Sequence, residues 1–156
     1  MTEKQMKDVQ KAMAALNQLG AEVVWHSSSG VESVYFNRVR ITDADLKHLK
    51  ELTSLKKLKL NHSPITDAGL KRLQGLTDLV QLHLADTKIT DAGLEHLTSL
   101  KDLGFLDLSN TQVTNAGLEY LNSFTKCRTI RLSGTKVTPT GRIKLQGVLT
   151  GCKITH

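Results

Sequence analysis

The chain is poor in the residues on which small secreted, metal-bound or membrane-spanning proteins depend. Its 156 residues include two cysteines, two prolines and six aromatics (one Trp, two Tyr, three Phe). Two cysteines cannot build a disulfide framework, and neither Cys127 nor Cys152 lies in a Cys-x-x-Cys or Cys/His spacing suited to a metal. No run approaches the roughly 18 to 20 apolar residues of a spanning helix. Residues 1–20 interleave Glu3, Lys4, Lys7, Asp8 and Lys11 with apolar positions, which excludes a secretory signal as written. The expectation is a reducing, cytoplasmic setting, barring a targeting segment already removed. Acidic residues are missing from one end: all 15 lie at or before Glu119, whereas Lys126, Arg128, Arg131, Lys136, Arg142, Lys144 and Lys153 follow it.

What is abundant is leucine, in a chain otherwise ordinary for one soluble domain at 39% apolar and 23% charged residues. From Ile41 the sequence restarts every 24 residues, giving repeats at 41–64, 65–88, 89–112 and 113–136, with an incomplete unit at 137–156. Moving the frame back places Val34, Phe36 and Val39 opposite Leu58, Leu60 and Ser63, so a degenerate unit precedes the first clear one. The expected organisation is a single domain over 1–156: helix, hairpin and degenerate repeat over 1–40, four repeats over 41–136, and a C-terminal cap over 137–156.

Each repeat changes period halfway. In the second, Leu70, Leu73 and Leu76 recur every three residues, which suits a short α or 3₁₀ segment with one apolar edge. Leu82 and Leu84 then alternate with Gln81, His83 and Ala85, as in a strand with one face inward. The run Ile65-Thr66-Asp67-Ala68-Gly69 carries a helix start, in which Thr or Asp accepts from the first unpaired N–H groups; Asp43, Asp91 and Asn115 repeat the device. One such unit cannot bury its own leucines, so the units must stack into a right-handed α/β solenoid with a parallel sheet on one face and short helices on the other. Leu58, Leu82, Leu106 and Ile130 form one expected internal column. Leu60, Leu84, Leu108 and Leu132 form another, extended by Phe36. Phe124 and Cys127 take leucine positions, so Cys127 reads as a buried small hydrophobe.

The pattern Leu-x-x-Leu-x-Leu-x-x-Ser/Thr at 55–63, 79–87 and 103–111 resembles the leucine-rich repeat. The Ile-Thr-Asp-Ala-Gly-Leu restart is similar to the 24-residue, cysteine-containing-like repeats of planctomycete-type bacterial proteins, related to F-box-associated repeats. The resemblance implies a scaffold that presents a sheet to a partner. Ser63, Thr87, Thr111 and Thr135 stand where such repeats often carry Asn or Cys, and their hydroxyls are expected to satisfy backbone groups in the turns. No F-box precedes the repeats, so an F-box adaptor role is not implied.

Both ends need sealing. Met6, Val9, Met13, Leu16 and Leu19 follow helical spacing and Gly20 can end that helix. Residues 22–26 and 31–37, flanking Ser27-Ser28-Ser29-Gly30, read as a hairpin with Trp25 on its edge arm. Ile143, Leu145, Val148 and Leu149 are expected to cover the last unit, followed by a short strand at Cys152–Thr155.

Function falls to the outward strand positions: Ser33, Tyr35, Asn37; Lys57, Lys59, Asn61; Gln81, His83, Ala85; Phe105, Asp107, Ser109; Thr129, Arg131, Ser133. Phe105 has no evident core duty, since Gln81 and Thr129 share its row, and Tyr35 and Phe105 are of the rigid type enriched in binding hot spots. The expected partner-binding set is Tyr35, Lys57, Lys59, His83, Phe105, Asp107, Thr129 and Arg131, with a turn row of Arg38, His62, Asp86, Asn110 and Gly134 available to enlarge it. A protein partner is expected. The alternative is an anionic partner, whether acidic protein, membrane surface or nucleic acid, met by the basic C-terminal end; nucleic acid ranks lower because no stacking aromatics accompany those cations. No enzyme is expected, for there is no nucleophile in a strained turn, no HExxH and no carboxylate pair in an evident pocket. No cofactor, metal or small-molecule substrate is expected either: His48 and His96 stand two repeats apart, roughly 10 Å by strand spacing.

Overall fold

A computed structural model describes residues 2–26, 30–37 and 39–156. Helix α1 (Glu3–Gln18) precedes strands β1 (Glu22–His26) and β2 (Gly30–Tyr35). Strands β3 (Lys57–Lys59), β4 (Gln81–His83), β5 (Phe105–Asp107), β6 (Thr129–Arg131) and β7 (Lys153–Thr155) then follow, each preceded by a short helical segment. These segments are the 3₁₀ turn Asp45–Leu49, α2 (Asp67–Leu70) running on into 3₁₀ Lys71–Leu73, α3 (Asp91–Glu95), 3₁₀ Asn115–Gly117 with α4 (Leu118–Leu121), and α5 (Pro139–Val148). The strands form one sheet in the order β1-β2-β3-β4-β5-β6-β7, antiparallel between β1 and β2 and parallel thereafter. The repeat frame is the register: Leu58 pairs with Leu82, Leu82 with Leu106, Leu106 with Ile130, and Ile130 with Ile154. Both expected internal columns are buried, and so is Phe36.

The Thr-Asp-Ala-Gly corner explains why the repeats copy themselves so closely. Thr66, Thr90 and Thr114 cap their own segments, each hydroxyl accepting from the N–H two residues on. The acidic residue does something the sequence did not suggest. Asp43 accepts from the Thr66 N–H at 2.9 Å and hydroxyl at 2.6 Å, one repeat further along. Asp67 does the same for Thr90 (2.8 and 2.6 Å), and Asp91 for Thr114 (2.7 and 2.6 Å). Of the two cap candidates that the sequence left open, Thr or Asp, it is threonine that caps within the repeat, and aspartate links to the next.

Glycine completes the corner. A Cβ at Gly69, Gly93 or Gly117 would overlap the carboxylate of the preceding repeat, Asp43, Asp67 or Asp91 respectively. These bonds are charge-assisted, and the part-buried pair on one carboxylate stabilises by about 2–3 kcal/mol in all. The ladder fades where its residues change. Asn115 keeps an acceptor for the Thr138 N–H at 2.9 Å but donates through its amide to the Thr138 hydroxyl, and Pro139 then stands where a linking Asp would be. At the opposite end Leu19 stands where the linking Asp would be, and the Thr42 N–H and hydroxyl donate instead to Asp45 in its own turn. Those bonds hold the Asp45 carboxyl below its usual pKa, with the backbone bond from Thr42 the largest cause.

A second row turns the chain out of each strand. Thr87, Thr111 and Thr135 donate to the carbonyls of Leu84, Leu108 and Leu132 at 2.6, 2.7 and 2.6 Å. Ser63, in the same row, buries its hydroxyl with no partner among the described residues. The neighbouring turn residues adopt left-handed backbone: His62, Asp86 and Asn110 have φ of 61°, 57° and 55°, and Gly134 has 71°. Arg38, placed in this row by the sequence frame, lies outside the described residues.

The ends are sealed by different means. At the N-terminus α1 has a full capping box from Thr2 and Gln5 and lays Val9, Ala12 and Leu16 on the core. Met13 and Leu19 are half-buried there, and Met6 is exposed. The antiparallel pairing of β1 with β2 realises the expected hairpin arms, with a bulge between Val24 and Trp25; Ser27, Ser28 and Ser29 lie outside the described residues. At the C-terminus Leu145 and Leu149 cover the core, but Ile143 and Val148 are exposed, contrary to expectation. Five residues apart, they stand about 140° from each other around the helix, and the edge of α5 that is buried is the one carrying Gly141 and Leu145.

Candidate functional site

The strands carry side chains outward in two rows set by the pairing register. One row runs Ser33, Lys57, Gln81, Phe105, Thr129, Lys153, and the other Tyr35, Lys59, His83, Asp107, Arg131, Thr155. All eight residues expected to bind a partner thus lie side by side on one sheet surface. Lys153 was missed; one more step of the same 24-residue frame would have added it beside Thr129.

Within the rows the side chains gather into two groups. Near β2, the Lys59 and Lys57 ammoniums lie over the Tyr35 ring, 4.9 and 5.7 Å from its centroid. Near β5 and β6, the Arg131 guanidinium lies over the Phe105 ring at 5.2 Å, and the His83 ring is tilted against the same ring with centroids 4.7 Å apart. An aromatic face attracts a cation through its quadrupole without neutralising it. Neither Lys57 nor Lys59 makes an ion pair among the described residues.

Asp107 behaves differently from the exposed contact residue expected. It is on the outward side but only 6% exposed. One carboxylate oxygen accepts from the Ser109 N–H (3.0 Å) and hydroxyl (2.6 Å), and the other faces Arg131 at 3.5 Å. Asp107 therefore orients Arg131, and the exposed face around it stays basic. Ser33 is likewise buried. Burial, then the nearby Lys59 charge, push the His83 pKa down to about 4, so its ring is neutral at pH 7, with Nε2 buried and without a partner among the described residues.

Other sequence candidates fall elsewhere. His62 meets Asp86 at 3.0 Å, and Asn110 donates to the same carboxylate at 2.9 Å, forming a chain across the turn row. His96 sits against Gln74 at 3.1 Å on the helical side. Cys127 is buried and its thiol is pushed up to about 12, first by desolvation. The seven C-terminal cations do not converge. Arg131 and Lys153 belong to the sheet rows, Lys126 pairs with Asp102, and Arg142 and Lys144 lie on α5. Among the described residues no cluster of His, Cys, Asp and Glu is suited to a metal, and no helix is long and apolar enough to cross a membrane.

Residues 51–73 and 75–97 match a family model described as leucine-rich repeat. No curated protein sequence matches the chain. Among solved structures it is similar to a leucine-rich-repeat protein of Leptospira interrogans, with TM-score 0.55 and 23% identity over 80% of this chain and 37% of that one. It is also similar to an internalin (InlF) of Listeria monocytogenes, with TM-score 0.53 and 21% identity over 79% of this chain and 39% of that one. A third similar structure is PEPR1–AtPEP1, with TM-score 0.57, 20% identity and coverage of 85% and 19%. The chain spans well under half the length of these structural relatives.

Proposed function

From the premise that the fold is a leucine-rich-repeat α/β solenoid, we propose that this chain is a non-catalytic binding module that takes a protein partner on its sheet face. Solenoids of this kind are generally protein-interaction modules. The observation that carries the reading is the pair of cation–aromatic groups, Lys57/Lys59 over Tyr35 and Arg131/His83 on Phe105, on a surface the core does not require. Tyr, Phe and Arg presented half-exposed on regular strands suit a hot spot because little rotamer freedom remains to be lost on binding. Tyr35, Lys57, Lys59, His83, Phe105, Thr129 and Arg131 form the contact surface, and Asp107 holds Arg131 in place. The alternative, an anion site led by the basic C-terminal end, has less support because its seven cations are divided among the sheet (Arg131, Lys153), α5 (Arg142, Lys144) and the connecting segments (Lys126, Arg128, Lys136).

The reading takes residues 1–156 as one domain, since one sheet runs from β1 to β7. It assigns the 24-residue restarts to the planctomycete-type repeat and places the chain in a reducing, cytoplasmic setting, in keeping with its sparse cysteine. The test is capture of partners from lysate by wild type, by a Phe105→Ala, Arg131→Gln variant, and by an Arg142→Gln, Lys144→Gln variant on α5. A partner held by wild type and the α5 variant but lost by the sheet variant supports the sheet face. Loss only in the α5 variant would transfer the site to the helical side.

A further inference from the structure

Resting on the sheet-face reading, we infer that the face recognises an extended acidic peptide segment bearing two carboxylates four residues apart, with a neutral side chain midway between them. Three observations support this. First, the charges are unbalanced where a partner would touch. Lys57, Lys59, Arg131 and Lys153 stand on the outward rows, whereas of the two carboxylates in those rows Asp107 is buried and occupied by Ser109 and Arg131, and Glu22, at the β1 edge beside Tyr35, accepts from Asn37, so four cations face two acids already engaged. Second, Lys57, Lys59 and Arg131 are positioned by aromatic rings, which orient them while leaving donors for an incoming carboxylate.

Third, the spacing is fixed by the sheet. Lys59 on β3 and Arg131 on β6 belong to one row, separated by His83 and Asp107. Three strand steps amount to about 14 Å, which an extended peptide crossing the strands covers in about four residues. Residues i and i+4 of such a peptide point to the same side, so both carboxylates reach the face, one toward Lys57/Lys59 and one toward Arg131. Residue i+2 then lies over His83 and the buried Asp107. A neutral imidazole beside a carboxylate favours an apolar or uncharged group there and disfavours a third acid.

The test is fluorescence anisotropy of the full chain with labelled Ser-Glu-Ser-Leu-Ser-Glu-Ser at low and moderate salt. Its comparison peptides are the Gln-for-Glu isostere and a variant with the two Glu adjacent. Tenfold or greater weakening for the isostere, at least fivefold weakening for adjacent acids, and tenfold weakening by Lys57→Gln/Lys59→Gln or by Arg131→Gln are expected, with Arg142→Gln/Lys144→Gln within twofold. Each variant is first checked by its thermal melt, and Lys57→Arg/Lys59→Arg should restore affinity if charge alone is at issue. Equal binding of the Gln isostere, with the sheet variants still weakened, would overturn the acidic preference while leaving the sheet face intact. Binding of the Glu peptide unaffected by the sheet variants would overturn the sheet face itself. No binding at millimolar peptide, or tighter and spacing-independent binding of a thymidine 12-mer, would overturn the peptide inference.

Discussion

The Thr-Asp-Ala-Gly corner and the outward sheet face repeat with the same 24-residue period, but they use it oppositely. At the corner the same atoms meet in successive repeats: aspartate to the next threonine, with glycine leaving room for the carboxylate. On the sheet face the equivalent positions run from lysine to histidine to aspartate to arginine, and their contacts differ from repeat to repeat. The corner spends its polar groups on inter-repeat bonds, and the face leaves its cations over aromatic rings. One region holds the stack together, and the other is chemically free to be used.

The sharpest way to break this contrast is Gly93→Ala. Its Cβ would overlap the Asp67 carboxylate and displace the bonds to Thr90, so a loss of about 3 kcal/mol is expected in denaturant unfolding. Asp67→Ala should cost about 2–3 kcal/mol by leaving the Thr90 N–H and hydroxyl without their acceptor. Asp91→Asn should cost less, about 1 kcal/mol, because Asn115 already fills that role for Thr138 with one bond reversed. On the face, Lys59→Gln should cost about 0.5 kcal/mol, the low end for an exposed cation–aromatic contact, since Lys57 still lies over the Tyr35 ring. Equal losses at Asp67 and Lys59 would end the contrast.

Two titrations sharpen it further. The folded pKa of His83 is lowered to about 4 while the unfolded chain binds its proton near 6.5, so the unfolded state gains protons first as pH falls. The His83 contribution is therefore intact above pH 6.5, is lost as pH drops from 6.5 toward 4, and levels off below. His83→Gln should flatten that portion of the stability profile, measured by urea unfolding at successive pH values. Cys127, pushed up to about 12, should resist a thiol reagent at pH 8 in the folded state and react promptly once unfolded. Rapid native-state reaction of Cys127 would contradict its assignment as a packing residue.

The solenoid was legible in the sequence because burial imposes a period: Leu58, Leu82, Leu106 and Ile130 must coincide for the units to stack, and they do. The site rows were legible for the same reason, since a register that aligns leucines also aligns the residues between them. What was hidden depends on side-chain direction. Asp67 has the composition of a helix cap, and only geometry reveals that its carboxylate reaches the next repeat. Asp107 occupies an outward position, but its short side chain folds back onto Ser109 and becomes covered. Ile143 and Val148 are apolar but five residues apart, about 140° around a helix, so they cannot both share the edge that Leu145 lays on the last repeat, and both are exposed. Periodicity fixes which residues are neighbours; it does not fix which of two adjacent polar groups bonds to which.

The division of labour between corner and face can be tested directly by comparing thermal midpoints of two variants. One carries Asp67→Ala and Asp91→Ala at the corner, and the other carries Lys57→Gln, Lys59→Gln, Phe105→Ala and Arg131→Gln on the face. The account predicts that the corner variant melts lower than wild type by about 10 °C or more, and the face variant by only a few degrees. A face variant that loses as much as the corner variant would show that Tyr35, Phe105 and their cations are part of what holds the stack together, and would contradict a surface kept free for a partner.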